Sequence, residues 1–393
     1  MPETDVPTRE ELVRRASELV PLLRKNAAWA EENRRLHEES IEALSDAGVF
    51  KMRVPKRYGG YESDTRAMVD VAAELGRADG STAWTASVYW IPTWMACQFP
   101  DALQDEVFST PNVRVCGTLS PSAMAKPADG GIVVNGKWGF ISGAMHAQWQ
   151  EIIAILIPKD GDPYPVMALV PMSDVLIVDD WNTTAMKGTG SVSTAARNLF
   201  VPQERVLPLS TVVDGRSASV HNADSPIYRP PLLPVACASS VGTVIGLARA
   251  AKDAFLDRAA TNKAAPIGYA QESSAPLTHL RVGEALSKID EAHHTAQRLA
   301  TLVDTKGESG ESWKQEERVQ ARSDLGTVCR LEKDAVDILA TASGGSSAHR
   351  DLPIHQIVRD IDAANHHALM NPDTNAELYG RLLCGLAPDT AYV

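Results

Sequence analysis

The stretch Gly117–Gly143, GTLSPSAMAKPADGGIVVNGKWGFISG, decides how this chain is read. It predicts two strands joined by a turn. The first ends in Leu119-Ser120-Pro121; the second carries Gly136-Lys137-Trp138 and ends in Phe140-Ile141-Ser142-Gly143. Between them, Ala128-Asp129-Gly130-Gly131 offers paired glycines for the positive φ that a hairpin turn needs. Serine and glycine at strand ends, beside aromatic residues, suit a flat ring with a polar edge. Backbone can approach that edge, and Ser120 and Ser142 can hydrogen-bond it.

Upstream the chain reads as helix. Residues 8–47 predict two helices, with Thr8 as N-cap, Glu11 completing a capping box and a kink or restart at Pro21. Further helices are expected at 64–78, at 80–97 (very apolar) and at 101–108. Downstream, β-rich runs at Val113–Cys116, Ile132–Val134, Ile152–Ile157, Val166–Val170 and Leu176–Val178 are separated by Gly, Pro and Asp turns. Long helices follow at about 234–262, 276–306 and 313–343, with shorter ones near 352–369 and 373–386. The expected fold is α+β, mainly α: an N-terminal helical domain (1–112), a central β-barrel or sandwich domain (113–208), a connector (209–231) and a C-terminal four-helix bundle (232–393). The connector, with Tyr228 and several prolines, reads equally as a lid or as a plain linker.

A chain of 393 residues buries a large core. Its formal net charge of −12 argues against nucleic acid as a partner, which would need a basic surface. No apolar run is read as reaching the ~18 residues of a membrane span. The first residues, MPETDVPTREE, are polar and acidic and do not read as a signal peptide. The cysteines Cys97, Cys116, Cys237, Cys329 and Cys384 are odd in number and widely spaced, which reads as reduced, buried thiols in a cytoplasmic protein. No metal site is expected without clustered ligands.

The strand pair, together with LSDAGVFKMRVPKRYGG (residues 44–60) and ADGSTAW (78–84), closely resembles the acyl-CoA dehydrogenase fold across nearly the whole chain. It is most similar to the branch that uses reduced flavin and oxygen to hydroxylate organic substrates, which includes the oxygenase component of p-hydroxyphenylacetate hydroxylase. The resemblance implies reduced FMN or reduced FAD supplied by a separate reductase, molecular oxygen as cosubstrate, a flavin C4a-hydroperoxide, and hydroxylation of an organic, in particular aromatic, small molecule. It also implies a homotetramer with cofactor sites built from more than one subunit. Two other readings stay open: an acyl-CoA dehydrogenase with tightly bound FAD, and an N-oxygenase of the same fold. A non-catalytic helical assembly protein is the rival from another class.

The same resemblance assigns residues. Ser142 matches the position that hydrogen-bonds flavin N5, and Phe140 the position that packs on the isoalloxazine ring. Leu119, Ser120, Trp138 and Gly143 line the same edge. The segment Trp181–Thr194, WNTTAMKGTGSVST, matches a W…GTGS motif that brings Thr189 and Ser191 to the flavin. The loop Gly344-Gly345-Ser346-Ser347 matches a turn that approaches the cofactor phosphate, often across a subunit boundary. Trp84 and Tyr89 are placed in the substrate pocket. His367, eight residues after Arg359, is the expected catalytic imidazole, with His366 as the alternative; either can take a phenol proton or hold a phenolate. Arg359-Asp360 is expected to hold structure. Each of these has a plain alternative: a serine ending a strand, an aromatic in the core, a helix-surface histidine pair.

Overall fold

The computed structural model describes residues 6–261, 272–349 and 352–390. Five helices come first: α1 (Arg9–Asn33), α2 (Glu38–Asp46), α3 (Thr65–Ala78), α4 (Gly80–Ala96) and α5 (Asp101–Val107). Eight strands follow: β1 (Val115–Gly117), β2 (Ala123–Ala128), β3 (Gly131–Ile141), β4 (Trp149–Leu156), β5 (Tyr164–Pro171), β6 (Leu176–Val178), β7 (Val192–Pro202) and β8 (Val206–Pro208). Then come α6 (Leu209–Val213), α7 (Leu232–Thr261), α8 (Pro276–Ser309), α9 (Gln315–Ala342), α10 (Ile354–Asn365) and α11 (Pro372–Leu383). The fold is mainly helical α+β, as the pattern of periodicities implies.

The first helix departs from expectation in two ways. It runs unbroken through Pro21, which lies on the exposed face, where the Ser17 carbonyl that loses its helical donor can be solvated. Thr8 does cap it, accepting from Glu11 N at 3.2 Å, but the Glu11 carboxylate turns to Arg14 and Arg15 instead of closing a capping box.

All eight strands belong to one mixed sheet, in the order β6-β7-β3-β2-β4-β5-β8, with β1 pairing β4. The hairpin is β2–β3, not a pair that includes the Leu119-Ser120-Pro121 segment. That segment lies between β1 and β2, both of which run parallel to β4. Of the turn's glycines only Gly130 takes positive φ, +72°.

The helices close over this sheet. The apolar α7 packs along α3, α8, α9 and α4. A window of it reaches mean hydropathy 1.5, so by length and composition it could cross a membrane, contrary to the sequence reading; 94% of that window is buried inside the protein. Its apolarity is that of a core helix packed on several sides. The main core runs from Val54 through α4 and the sheet to Met370, with no break at the expected domain borders.

The connector is packed, not a free lid. Tyr228 is buried, its hydroxyl donates to Arg53 O at 2.9 Å, and its carbonyl accepts from Gln98 at 3.1 Å. Asn222 ties the same segment to Cys97 O at 2.9 Å. All five cysteines are free; four are buried and Cys384 is exposed, which corrects the expectation for that one.

Candidate active site

Strand β3 ends irregularly, and the irregularity makes the site. Its register with β7 shifts between Trp138 and Ile141, a β-bulge. Within the bulge Phe140 adopts φ +61°, a left-handed conformation uncommon for an aromatic residue. Side chains therefore stop alternating. Trp138 is fully buried and donates its indole N–H to Ile153 O at 2.9 Å, while Phe140 is 74% exposed. Trp138 is thus a core residue and not part of a ligand surface, which corrects the sequence reading. Phe140 meets only the edge of Trp181, ring centres 6.0 Å apart, and presents an aromatic face outward.

Past the bulge the chain turns at Gly143, φ +72°. A Cβ there would come within 2.4 Å of the Tyr89 hydroxyl, so the turn needs glycine on both counts. Tyr89 sits in α4, is buried against Phe50, and donates to Gly143 O at 2.7 Å. Burial pushes its phenol well above the usual range. Tyr89 clamps the turn and has no surface for a substrate, a second correction.

The clamp leaves the Ser142 hydroxyl between two side chains, Trp84 and Ser191. Trp84, also from α4, donates its indole N–H to Ser142 Oγ at 3.1 Å. Ser142 Oγ lies 2.7 Å from Ser191 Oγ, which lies 2.7 Å from Thr189 Oγ1. Thr189 in turn donates to Met186 O at 2.7 Å. All three hydroxyl residues are buried. Thr189 and Ser191 thus join Ser142 in one buried hydroxyl chain.

Residues 179–191 are held in place by acids. Asp180 accepts from Ser193 N and from Lys137, both at 2.8 Å, and these bonds hold its carboxyl at about 2. Asp360 of α10 accepts from Met186 N at 2.7 Å. Burial pushes the Asp360 carboxyl up to about 7, and the charges of Asp79 and Glu31 push the same way, against the Met186 hydrogen bond. Arg359 donates to Thr184 O at 3.0 Å. The Arg359-Asp360 pair thus fastens the loop that carries Thr189 and Ser191. Met186 and Asp180 were missed by sequence reasoning; the W…GTGS motif between them was the available signal.

On the other side of Trp84 stands His367, ring centres 5.2 Å apart and nearly perpendicular. It lies in the turn after α10, which ends at Asn365, and not on a helix. Its ring is accessible at the surface yet crowded by protein, and this desolvation lowers its pKa from the ordinary histidine value. His367 Nδ1 accepts from Leu369 N at 3.3 Å, which assigns the ring proton to Nε2. His366 caps α10 and is exposed. Trp84 thus bridges the end of β3 to His367, and the structure brings Trp84, Ser142, Thr189, Ser191 and His367 into one cluster.

Other expected residues fall outside it. Leu119 is half-buried and Ser120 exposed, in the loop before β2. Gly344 and Gly345 are exposed, with open space around both. Ser347 is buried and donates to Gly344 O at 2.6 Å, so its hydroxyl is turned inward. The side chain of Ser346 lies outside the described residues.

A flat heteroaromatic cofactor fits what is present: an exposed aromatic face at Phe140, a hydroxyl at Ser142 beside it, and a glycine turn. Helices, one mixed sheet and helices again, with this hydroxyl-edged strand end between them, define the acyl-CoA dehydrogenase architecture. Residues 8–106 match the model of the acyl-CoA dehydrogenase N-terminal domain, and residues 238–372 that of the C-terminal domain. A pigment production hydroxylase from a Rhodococcus strain is 30% identical over 96% of this chain and 97% of its own. The oxygenase component of an FADH2-dependent resorcinol hydroxylase from Rhizobium is also 30% identical, over 97% and 96%. The crystal structure of XiaF from Streptomyces, in complex with FADH2 and glycerol, superposes with a TM-score of 0.92 at 27% identity, covering 98% of each chain. The chain belongs to the acyl-CoA dehydrogenase family, in its branch of flavin-dependent monooxygenases.

Proposed function

We propose that this protein is the oxygenase component of a two-component system. It takes reduced FMN or FAD from a separate reductase and hydroxylates a phenolic small molecule bound beside Trp84, Ser142 and His367. The observation that carries this reading is the Trp84 indole, which hydrogen-bonds Ser142 on one side and meets the His367 ring on the other. A ring held at Ser142 and a substrate held at His367 would meet across one tryptophan.

When bound, reduced flavin supplies the two electrons that split O2, one oxygen atom entering the new hydroxyl and the other leaving as water. The chain does the rest. Phe140 offers a stacking face and Ser142 a hydrogen-bonding edge. Trp84 and the protein around it restrict water, which would divert oxygen to peroxide. The phenol proton leaves to solvent as the substrate binds, and His367, neutral and with its proton on Nε2, donates to the resulting phenolate oxygen and stabilises it; the phenolate's ring carbon is the better nucleophile. Of the two roles an imidazole could have here, geometry favours holding the phenolate over abstracting its proton.

The dehydrogenase reading is weakened at the turn before α11. There the side chain of Asn371 accepts from Asp373 N and Thr374 N, both at 3.0 Å, so this turn holds a helix cap where many dehydrogenases place a glutamate base. We assign the cytoplasm as its compartment, consistent with five free thiols. A homotetramer completing the cofactor site near Gly344-Gly345 remains part of the proposal.

The test supplies the purified protein with chemically reduced FMN or FAD, then oxygen and a panel of phenols, and measures product per oxygen consumed. Hydroxylated product is expected. No product with any phenol, together with bleaching of tightly bound FAD by an acyl-CoA thioester, would overturn the reading. His367→Ala should uncouple the reaction, giving peroxide in place of product. His367→Gln, which keeps an N–H donor, should retain part of the coupling; a proton-abstracting role would lose it in both variants.

A further inference from the structure

The hydroxyl chain at the end of β3 has a direction. An indole N–H only donates, so Ser142 Oγ accepts from Trp84. A carbonyl only accepts, so the single Thr189 hydroxyl proton is committed to Met186 O. The 2.7 Å contact between Thr189 and Ser191 must then use the Ser191 proton. The 2.7 Å contact between Ser191 and Ser142 must use the Ser142 proton. All three protons are spoken for, each pointing towards Met186. One lone pair on Ser142 remains after Trp84, and no proton.

We infer that this relay makes Ser142 an obligate acceptor, and that Thr189 and Ser191 are positioning residues that select the redox state of the flavin. The inference rests on the proposed function, with ring atom N5 placed at Ser142. Reduced flavin carries a proton on N5 and can donate it to the free lone pair. Oxidised flavin presents a lone pair there, and lone pair faces lone pair. The anchor of the relay is itself fixed, because the Met186 carbonyl also accepts from Thr189 N at 3.2 Å and the Met186 amide is held by Asp360. The gap between a made and an unmade buried hydrogen bond is worth about tenfold in affinity or more. The relay thereby favours the reduced cofactor on arrival and lowers the affinity for the oxidised cofactor at the end of the cycle, as an enzyme that borrows its flavin requires.

The experiment titrates the full-length protein with oxidised FMN and FAD in air, and with dithionite-reduced FMN and FAD anaerobically. Wild type should bind the reduced form at least tenfold more tightly. Ser191→Ala frees the Ser142 proton to point at the ring, so oxidised flavin should bind about tenfold better with little change for reduced flavin. The midpoint potential of the bound flavin should then fall by about 30 mV. Thr189→Val should do the same by freeing the Ser191 proton, and it carries the test if Ser191→Ala does not fold. Thr189→Ser, which keeps the hydroxyl, should retain the wild-type ratio and potential. Equal weakening of both redox forms in the variants, as a general loosening would produce, overturns the inference and leaves the proposed function standing. So does a wild type with no preference. A wild type that binds neither form overturns both.

Discussion

At the scale of single residues Ser142 matters most, because the irregular end of β3, α4 and the 179–191 loop converge on its hydroxyl. Ser142→Ala removes an acceptor from a buried position and strands the Trp84 N–H. The expected cost is about 1–2 kcal/mol in binding of reduced flavin, a roughly tenfold rise in Kd measured by anaerobic titration; an unchanged Kd would show that the ring lies elsewhere. Ser142, Phe140, Trp84 and His367 were singled out from short motifs in the sequence, and the structure brings Trp84, Ser142 and His367 together. Trp138 and Tyr89 were misread for one reason: exposure depends on tertiary packing, and an aromatic residue two positions before a bulge looks in sequence like one that shares its face.

Among the elements, α10 acts as a clamp on the loop it faces. Asp360 and Arg359 reach from α10 to Met186 N and Thr184 O and so set the anchor of the relay. The Asp360 carboxyl lies at about 7 in the folded protein, against about 3.9 in an unfolded chain. A raised pKa means the folded state holds the proton longer. The stability this gives is full below the unfolded value and is lost as pH rises through about 7. Asp360→Asn keeps an acceptor for Met186 N and carries no charge. Its stability relative to wild type should therefore increase between pH 5 and pH 8, by roughly 3 kcal/mol from the two units of that window the wild type loses. Denaturant titrations at the two pH values measure it; a pH-independent difference would mean the carboxyl is already ionised at pH 5.

Across the whole molecule, the site depends on how closely α3 and α7 approach, since α4, which carries Trp84 and Tyr89, packs against both. That approach is set by glycine. A Cβ at Gly246 would lie 2.5 Å from both Ala73 O and Gly76 Cα, which are backbone atoms that cannot swing aside. Gly246→Ala should force the helices apart at a cost of about 1–3 kcal/mol, seen as a lower melting temperature, with weaker flavin binding as α4 shifts. A variant that melts with wild type would show that the crossing has slack. The helix order was readable from periodicity alone, but the apolar character of α7 was missed and the sheet order was not readable. Strand β2, rich in alanine and carrying Lys126 and Pro127, gives little local β signal and owes its place to pairing with β3 and β4.

By itself the sequence determined which segments are helix, which residues could hydrogen-bond or stack on a flat ring, and that His367 follows Arg359 by eight residues. Those are properties of residue type and spacing, and they survive without knowledge of neighbours. Only the tertiary structure decided which aromatic residues face outward, which nitrogen of His367 carries the proton, and which way the Ser142–Ser191–Thr189 hydroxyls point. Each of these depends on how the folded chain sets its partners: β7 across the bulge, the Leu369 amide in the turn beside the ring, and Met186 held by Asp360. A hydroxyl proton has no preferred direction until a committed donor at one end and a committed acceptor at the other impose one.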